Sequence, residues 1–189
     1  MILNFLGVVF ILSLLFSSSC SNRVSKVDET DENDTISELL ISARENADNG
    51  KLKEALDDVK SLKEIQISSD YQNFLVLMTS GYVSYKTGHY RESAYEYLAA
   101  SLVDSISIQD RLSAYEHQAH LFFKIESYVL SGAAVDKFFK HKESDLHLAT
   151  IGLLSYFNLG LCSESKRYYD LLSGEKMNYI INISIESSF

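Results

Sequence analysis

The sequence predicts an all-α protein, a solenoid of about four helix-turn-helix units closed by a C-terminal cap. Three observations predict it. From Thr35 onward, apolar residues return at a period near 3.6, the signature of amphipathic helices. There is no proline anywhere in the 189 residues, so nothing forces a helix to break. A helical hairpin also recurs. Its anchor, a small or apolar residue seven places before the turn, falls at Ala43, Gly81, Ala119 and Leu153, at spacings of 38, 38 and 34 residues.

Taken in order, the chain begins with Ile2 to Phe16, an almost continuously apolar run that ends in Ser17-Ser18-Ser19-Cys20. The run is shorter than the ~20 residues a spanning helix needs. A short apolar core followed by small residues has the shape of a secretory signal peptide. The cysteine directly after the small residues resembles a bacterial lipobox, although Ser17 stands where the usual Leu would be and the preceding stretch lacks Lys and Arg. By that resemblance residues 1–19 are a lipoprotein signal peptide, and Cys20 is the acylated first residue of the mature chain. Two or three acyl chains give stable anchoring where one is marginal. Ser21 replaces the Asp that would retain a lipoprotein in the inner membrane. The expected location is therefore the bacterial cell envelope, with the outer membrane favoured over the inner.

Residues 20–35 are polar and acidic without apolar periodicity, and are expected to form a disordered tether. The acidic run lacks the Gly and the distant Glu of a calcium loop. Residues 36–176 carry the repeat. Its best-formed unit is Ser80 to Asp104, two short helices joined at Thr87-Gly88, where glycine accepts the positive φ of a reversing chain. Small residues (Gly81, Ser93, Ala100) fall where the two helices must touch, with Tyr85, Tyr90 and Tyr97 around them. Residues 177–189 (MNYIINISIESSF) are apolar and irregular, and are expected to cap the last unit as helix or strand.

A two-helix repeat near this length resembles the tetratricopeptide repeat, over roughly Ile36 to Ser173. That pattern places small residues at the eighth, twentieth and twenty-seventh positions and a large one at the twenty-fourth. The second unit supplies Gly81, Ser93, Ala100 and Tyr97. The first supplies Ala43, Ala55, Leu62 and Val59; the third, Ala119, Ser131, Phe138 and Val135; the fourth, Leu153, Ser165, Leu172 and Tyr169. In the third unit Glu126 occupies the place of the turn glycine. Such pairs bury their apolar faces only by stacking, so about three or more are needed.

The resemblance implies a concave groove lined by the first helix of each pair. Carried onto this chain, its positions include Arg44 and Asp48 in the first unit. The second unit gives Leu75, Met78, Tyr82, Tyr85 and Lys86, and the third gives Glu116, His120, Phe123 and Lys124. The fourth gives Thr150, Leu154, Phe157 and Asn158. Lys86 and Lys124 align, two cations able to clamp a partner's carboxylate. A protein or peptide segment is the expected occupant.

A formal net charge of -9 disfavours nucleic acid, which requires a Lys/Arg surface. No Gly-rich phosphate loop or Gly-x-Ser-x-Gly elbow is present, so no catalytic residue, cofactor or metal is expected. His117 and His120 with Glu116 form a local Glu-His-x-x-His cluster that lacks both the zincin spacing and a third ligand. His141 and His147 stand apart from it in sequence. Cys162 replaces an apolar residue of the second unit and is expected to be a buried small hydrophobe. The expected function is a membrane-anchored interaction scaffold of the cell envelope, assisting assembly or transport. The alternative is a periplasmic small-molecule or metal binder, or a hydrolase, using the aromatic groove and the His117/His120 cluster.

Overall fold

The computed structural model describes residues 29–142 and 144–173, all of them helix or short connection. The apolar N-terminus, Cys20 and the segment expected to cap the last unit lie outside the described residues. Among the described residues no helix is long and apolar enough to cross a membrane. By its contacts the chain divides into Met1–Asp34 and Thr35–Phe189, and the packing described below is that of the second unit.

The helices are α1 (Glu29–Asp48), α2 (Leu52–Glu64), α3 (Asp70–Lys86), α4 (Tyr90–Ser101), α5 (Ile108–Lys124), α6 (Tyr128–Phe139), α7 (Leu146–Asn158) and α8 (Cys162–Leu172). Among the described residues they form four helix-turn-helix pairs, the all-α solenoid that the recurring hairpin predicts. α1 begins at Glu29, inside the stretch expected to be a disordered tether. Its opening residues are acidic in sequence, and negative charge favours the N-terminal end of a helix.

Each pair turns in the same way. Gly50, Gly88 and Gly160 take φ of 74°, 81° and 71°. The residue after the glycine then donates to a carbonyl five residues back, His89 to Ser84 at 2.8 Å and Leu161 to Tyr156 at 2.9 Å, the Schellman closure. The third turn keeps this geometry without glycine: Glu126 sits at φ 61°, and Ser127 N–H donates to Phe122 O at 2.8 Å.

The small positions do two jobs. Gly81 lets the ring of buried Tyr97 lie where a Cβ would be only 3.0 Å from it. The serines tie the second helix of a pair to the first. Ser93 Oγ donates to Gly81 O at 2.7 Å, Ser131 to Ala119 O at 2.9 Å, and Ser165 to Leu153 O at 3.2 Å. In the fourth pair the packing slips by one residue. Tyr168, not Tyr169, is buried, and its ring lies on Gly152 rather than Leu153. Residues three and four after Ser165 share a helix face, so either could face inward. Gly152 has no side chain, and that gap admits the ring of Tyr168.

The core is shared between neighbouring pairs, as a stack requires. Val83 of α3 closes a cluster with Ala43, Ala47, Ala55 and Val59 of the first pair. Ala114, Leu121 and Phe122 of α5 close another with Phe74, Ala94 and Tyr97 of the second. A third joins Tyr115 and Ala119 of α5 to Ile151, Tyr156 and Tyr168 of the last pair. The connections between pairs are longer than the turns within them, and the 38-residue spacings arise from the first helices, 17 residues long in α3 and α5 against 13 in α7, where the spacing is 34. One is fastened by Arg111, whose guanidinium donates to Ser101 O and, at 3.0 Å, to Val103 O.

Candidate functional site: an aromatic and cationic hollow on the first helices

Side chains of the first helices meet one another along one face. Asp48 at the end of α1 accepts from the Tyr82 hydroxyl of α3 and pairs with Lys86 Nζ at 3.0 Å. His120 of α5 stacks on His147 of α7, with ring centroids 4.4 Å apart. Between these contacts lies a hollow of about 570 Å³ lined by Tyr82 and Tyr85 of α3, Tyr97 of α4, and His117, His120, Leu121, Phe123 and Lys124 of α5.

Five of the predicted groove residues therefore come together: Tyr82, Tyr85, His120, Phe123 and Lys124. The rest do not line the hollow. Met78 is buried in the core with Phe74, and Leu75 packs half-buried against the same cluster. Those two positions face the neighbouring pair, so packing claims them. Lys86 stays beside the hollow but is spent on Asp48 and lies 5.5 Å from the Tyr82 ring. Glu116 is exposed and acts on His117 only through its charge. Asn158 donates its amide to Leu154 O of its own helix at 2.7 Å.

The predicted lysine pair is accordingly reduced to one available cation. Lys124 Nζ lies 4.4 Å from the centre of the Tyr90 ring, and no described carboxylate pairs with it. Arg44 of α1 adds a second positive charge at this face. Its Nε donates to Thr79 Oγ1 at 3.2 Å, and its charge reaches Tyr97 and His117. The hollow thus carries cationic character in a protein whose net charge is negative.

Proton affinities follow from this geometry. The Tyr82 hydrogen bond, then Lys86, lowers the Asp48 pKa, so the ion pair stays charged. Burial pushes the Tyr97 phenol up to about 12. Burial, then the charge of His147, brings His120 down to about 4. His117 keeps exposed surface, yet the walls of the hollow displace part of its water and lower its pKa. At neutral pH His117 and His120 are therefore neutral donors and acceptors.

The Glu-His-x-x-His cluster does not converge. His117 stacks on Tyr97 at 4.5 Å while His120 turns to His147, with Nδ1 and Nε2 3.3 Å apart. No group of three or more His, Cys, Asp or Glu side chains among the described residues is placed to hold a metal. Cys162 is exposed, not buried, because it opens α8 on the outer side of its turn.

Sequence reasoning left out of the groove Tyr97 and Leu121, which belong to the packing positions, and His147, which looked isolated. Gly81 was the usable signal for Tyr97. A missing side chain there opens the gap through which a residue of the second helix reaches the first-helix face.

No protein-family model matches the chain, and no curated protein matches it. Among the solved structures that match are two tetratricopeptide-repeat proteins. One, named "MamA MSR-1 C2", is 13% identical over 75% of this chain and 74% of its own, with a TM-score of 0.53. The other comes from a functional characterisation of Pseudomonas aeruginosa pilF and is 14% identical over 77% of this chain and 79% of its own, with a TM-score of 0.43. At 13% identity the first likeness establishes the tetratricopeptide-like fold of this chain and nothing finer.

Proposed function

We propose that the protein is an interaction scaffold that holds a segment of a partner protein against its first-helix face. The observation that carries this reading is the hollow itself. It joins Tyr82, Tyr85 and Phe123, apolar faces able to receive a partner's side chains, to Lys124, a cation with which no described carboxylate pairs. Aromatic anchors beside a free charge are what an extended segment needs for both affinity and register. No nucleophile paired with a base lines the hollow, which supports binding over catalysis.

In the same reading the protein acts at a membrane surface of the bacterial envelope, the outer membrane in preference to the inner, held by acyl chains on Cys20. The support is the apolar Ile2–Phe16 followed by Ser-Ser-Ser-Cys. Metabolic labelling with a fatty-acid analogue checks the anchor. Label is expected in the native protein and absent from Cys20→Ala; equal labelling of both defeats the assignment. Partner recovery checks the groove. Tyr85→Ala combined with Lys124→Ala, both on exposed side chains, is expected to abolish a partner recovered with the native protein while helicity is unchanged. Undiminished recovery defeats the groove.

A further inference from the structure

The contact between His120 and His147 has a chemistry of its own. The two rings are stacked within 25° of parallel across the third and fourth pairs, with Nδ1 of His120 3.3 Å from Nε2 of His147. At that separation one nitrogen can donate to the other, so the pair accommodates at most one shared proton between its facing nitrogens. A proton on each ring sets two like charges about 4.4 Å apart, which is unfavourable without a counter-charge.

The surroundings supply little counter-charge. From α5, Lys124 lies one turn along from His120, and His117 one turn before it. From α1, Arg44 adds positive charge. From α3 come the neutral phenols Tyr82 and Tyr85, beside a Lys86 that cancels Asp48. From α4 comes the buried phenol of Tyr97. Among the described residues the acid acting on His120 is Asp145, already the N-cap of α7 through Leu148 N at 3.0 Å and paired with Lys142 at 3.7 Å. Glu116 faces His117. Among the described residues, therefore, no uncommitted carboxylate faces an imidazolium in this hollow, and a ligand could bring one.

We propose that the hollow is a receptor for an acidic segment carrying apolar side chains, and that its binding draws a proton onto the His120–His147 pair. This rests on the groove reading above and deepens it. The aromatic walls take the apolar side chains, Lys124 holds one carboxylate, and a second carboxylate neutralises the imidazolium. Affinity and proton uptake are then linked, so the partner is held more tightly as the compartment acidifies.

The test titrates full-length protein with a labelled peptide of alternating glutamate and phenylalanine, and with a control in which glutamine replaces glutamate. If bound His120 regains an ordinary histidine proton affinity near ~6.5, the acidic peptide binds about tenfold tighter at pH about 5.5 than at about 7.5. Calorimetry in buffers of different ionisation enthalpy then shows net proton uptake. His120→Gln and His147→Gln, checked for helicity, are expected to remove the pH dependence, whereas Lys124→Gln weakens binding at both pH values and keeps it. An acidic peptide bound equally at both pH values, or a dependence surviving in both histidine variants, overturns the inference and leaves the groove standing. Binding of neither peptide at either pH overturns both.

Discussion

At the scale of single residues, Glu126 is the clearest oddity. It occupies the left-handed turn position that glycine fills in the other three pairs. A non-glycine residue there costs about 1–2 kcal/mol, partly offset by the backbone freedom that glycine adds to the unfolded chain. Glu126→Gly is therefore expected to stabilise the protein by about 1 kcal/mol, seen as a higher midpoint in urea unfolding. A lower midpoint would mean that the Glu126 side chain earns its place by other contacts. Asp136 is the opposite case. Its carboxylate receives the Tyr168 hydroxyl, the Tyr156 hydroxyl at 2.5 Å and Arg167 Nη2 at 3.1 Å. Burial, then the Asp136 hydrogen bond, raises the pKa of both phenols. Asp136→Ala leaves two hydroxyls without their acceptor and is expected to cost about 2 kcal/mol, measured by the same unfolding, with Asp136→Asn milder.

At the scale of elements, the serine bonds between paired helices explain why the repeat was legible. The anchors Gly81 and Ala119 and the serines twelve places on were visible as small residues, and the structure uses both the smallness and the hydroxyl. Ser131 is the most heavily used, since it also accepts from Ser155 Oγ at 2.9 Å. Ser131→Ala is expected to cost about 1–3 kcal/mol, more than Ser165→Ala, whose bond is longer and whose helix is the last described. Equal losses in the two variants would assign the serines to packing alone. The fourth pair was misread by one residue because turn spacing fixes where a helix starts, not which of two adjacent tyrosines its neighbour can accept. That choice was made by Gly152. The groove was legible to the same degree. Helical spacing identified the residues on the first-helix face, but only packing separates Met78, which is buried, from Tyr85, which is exposed. The spending of Lys86 on Asp48 depends on how α1 meets α3, a long-range fact that no local pattern carries.

At the scale of the whole molecule, the stack has a pH dependence of known sign. His120 has a folded pKa near 4, below the ordinary value of 6.5, so the native state binds fewer protons than the unfolded state between those values. Full stability is present above pH 6.5 and is lost progressively as pH falls toward 4. His120→Gln should flatten that part of a stability profile, and an unchanged profile would show that another group governs it. The central claim remains that the first helices present a partner site. The most direct measurement places a photoreactive amino acid at Tyr85 inside the hollow, or at Tyr95, which is similarly exposed on the second helix of the same pair. After irradiation in native membranes, the account predicts one partner adduct from position 85 that disappears with Lys124→Ala, and none from position 95. The same adduct from both positions, or from 95 alone, would contradict it.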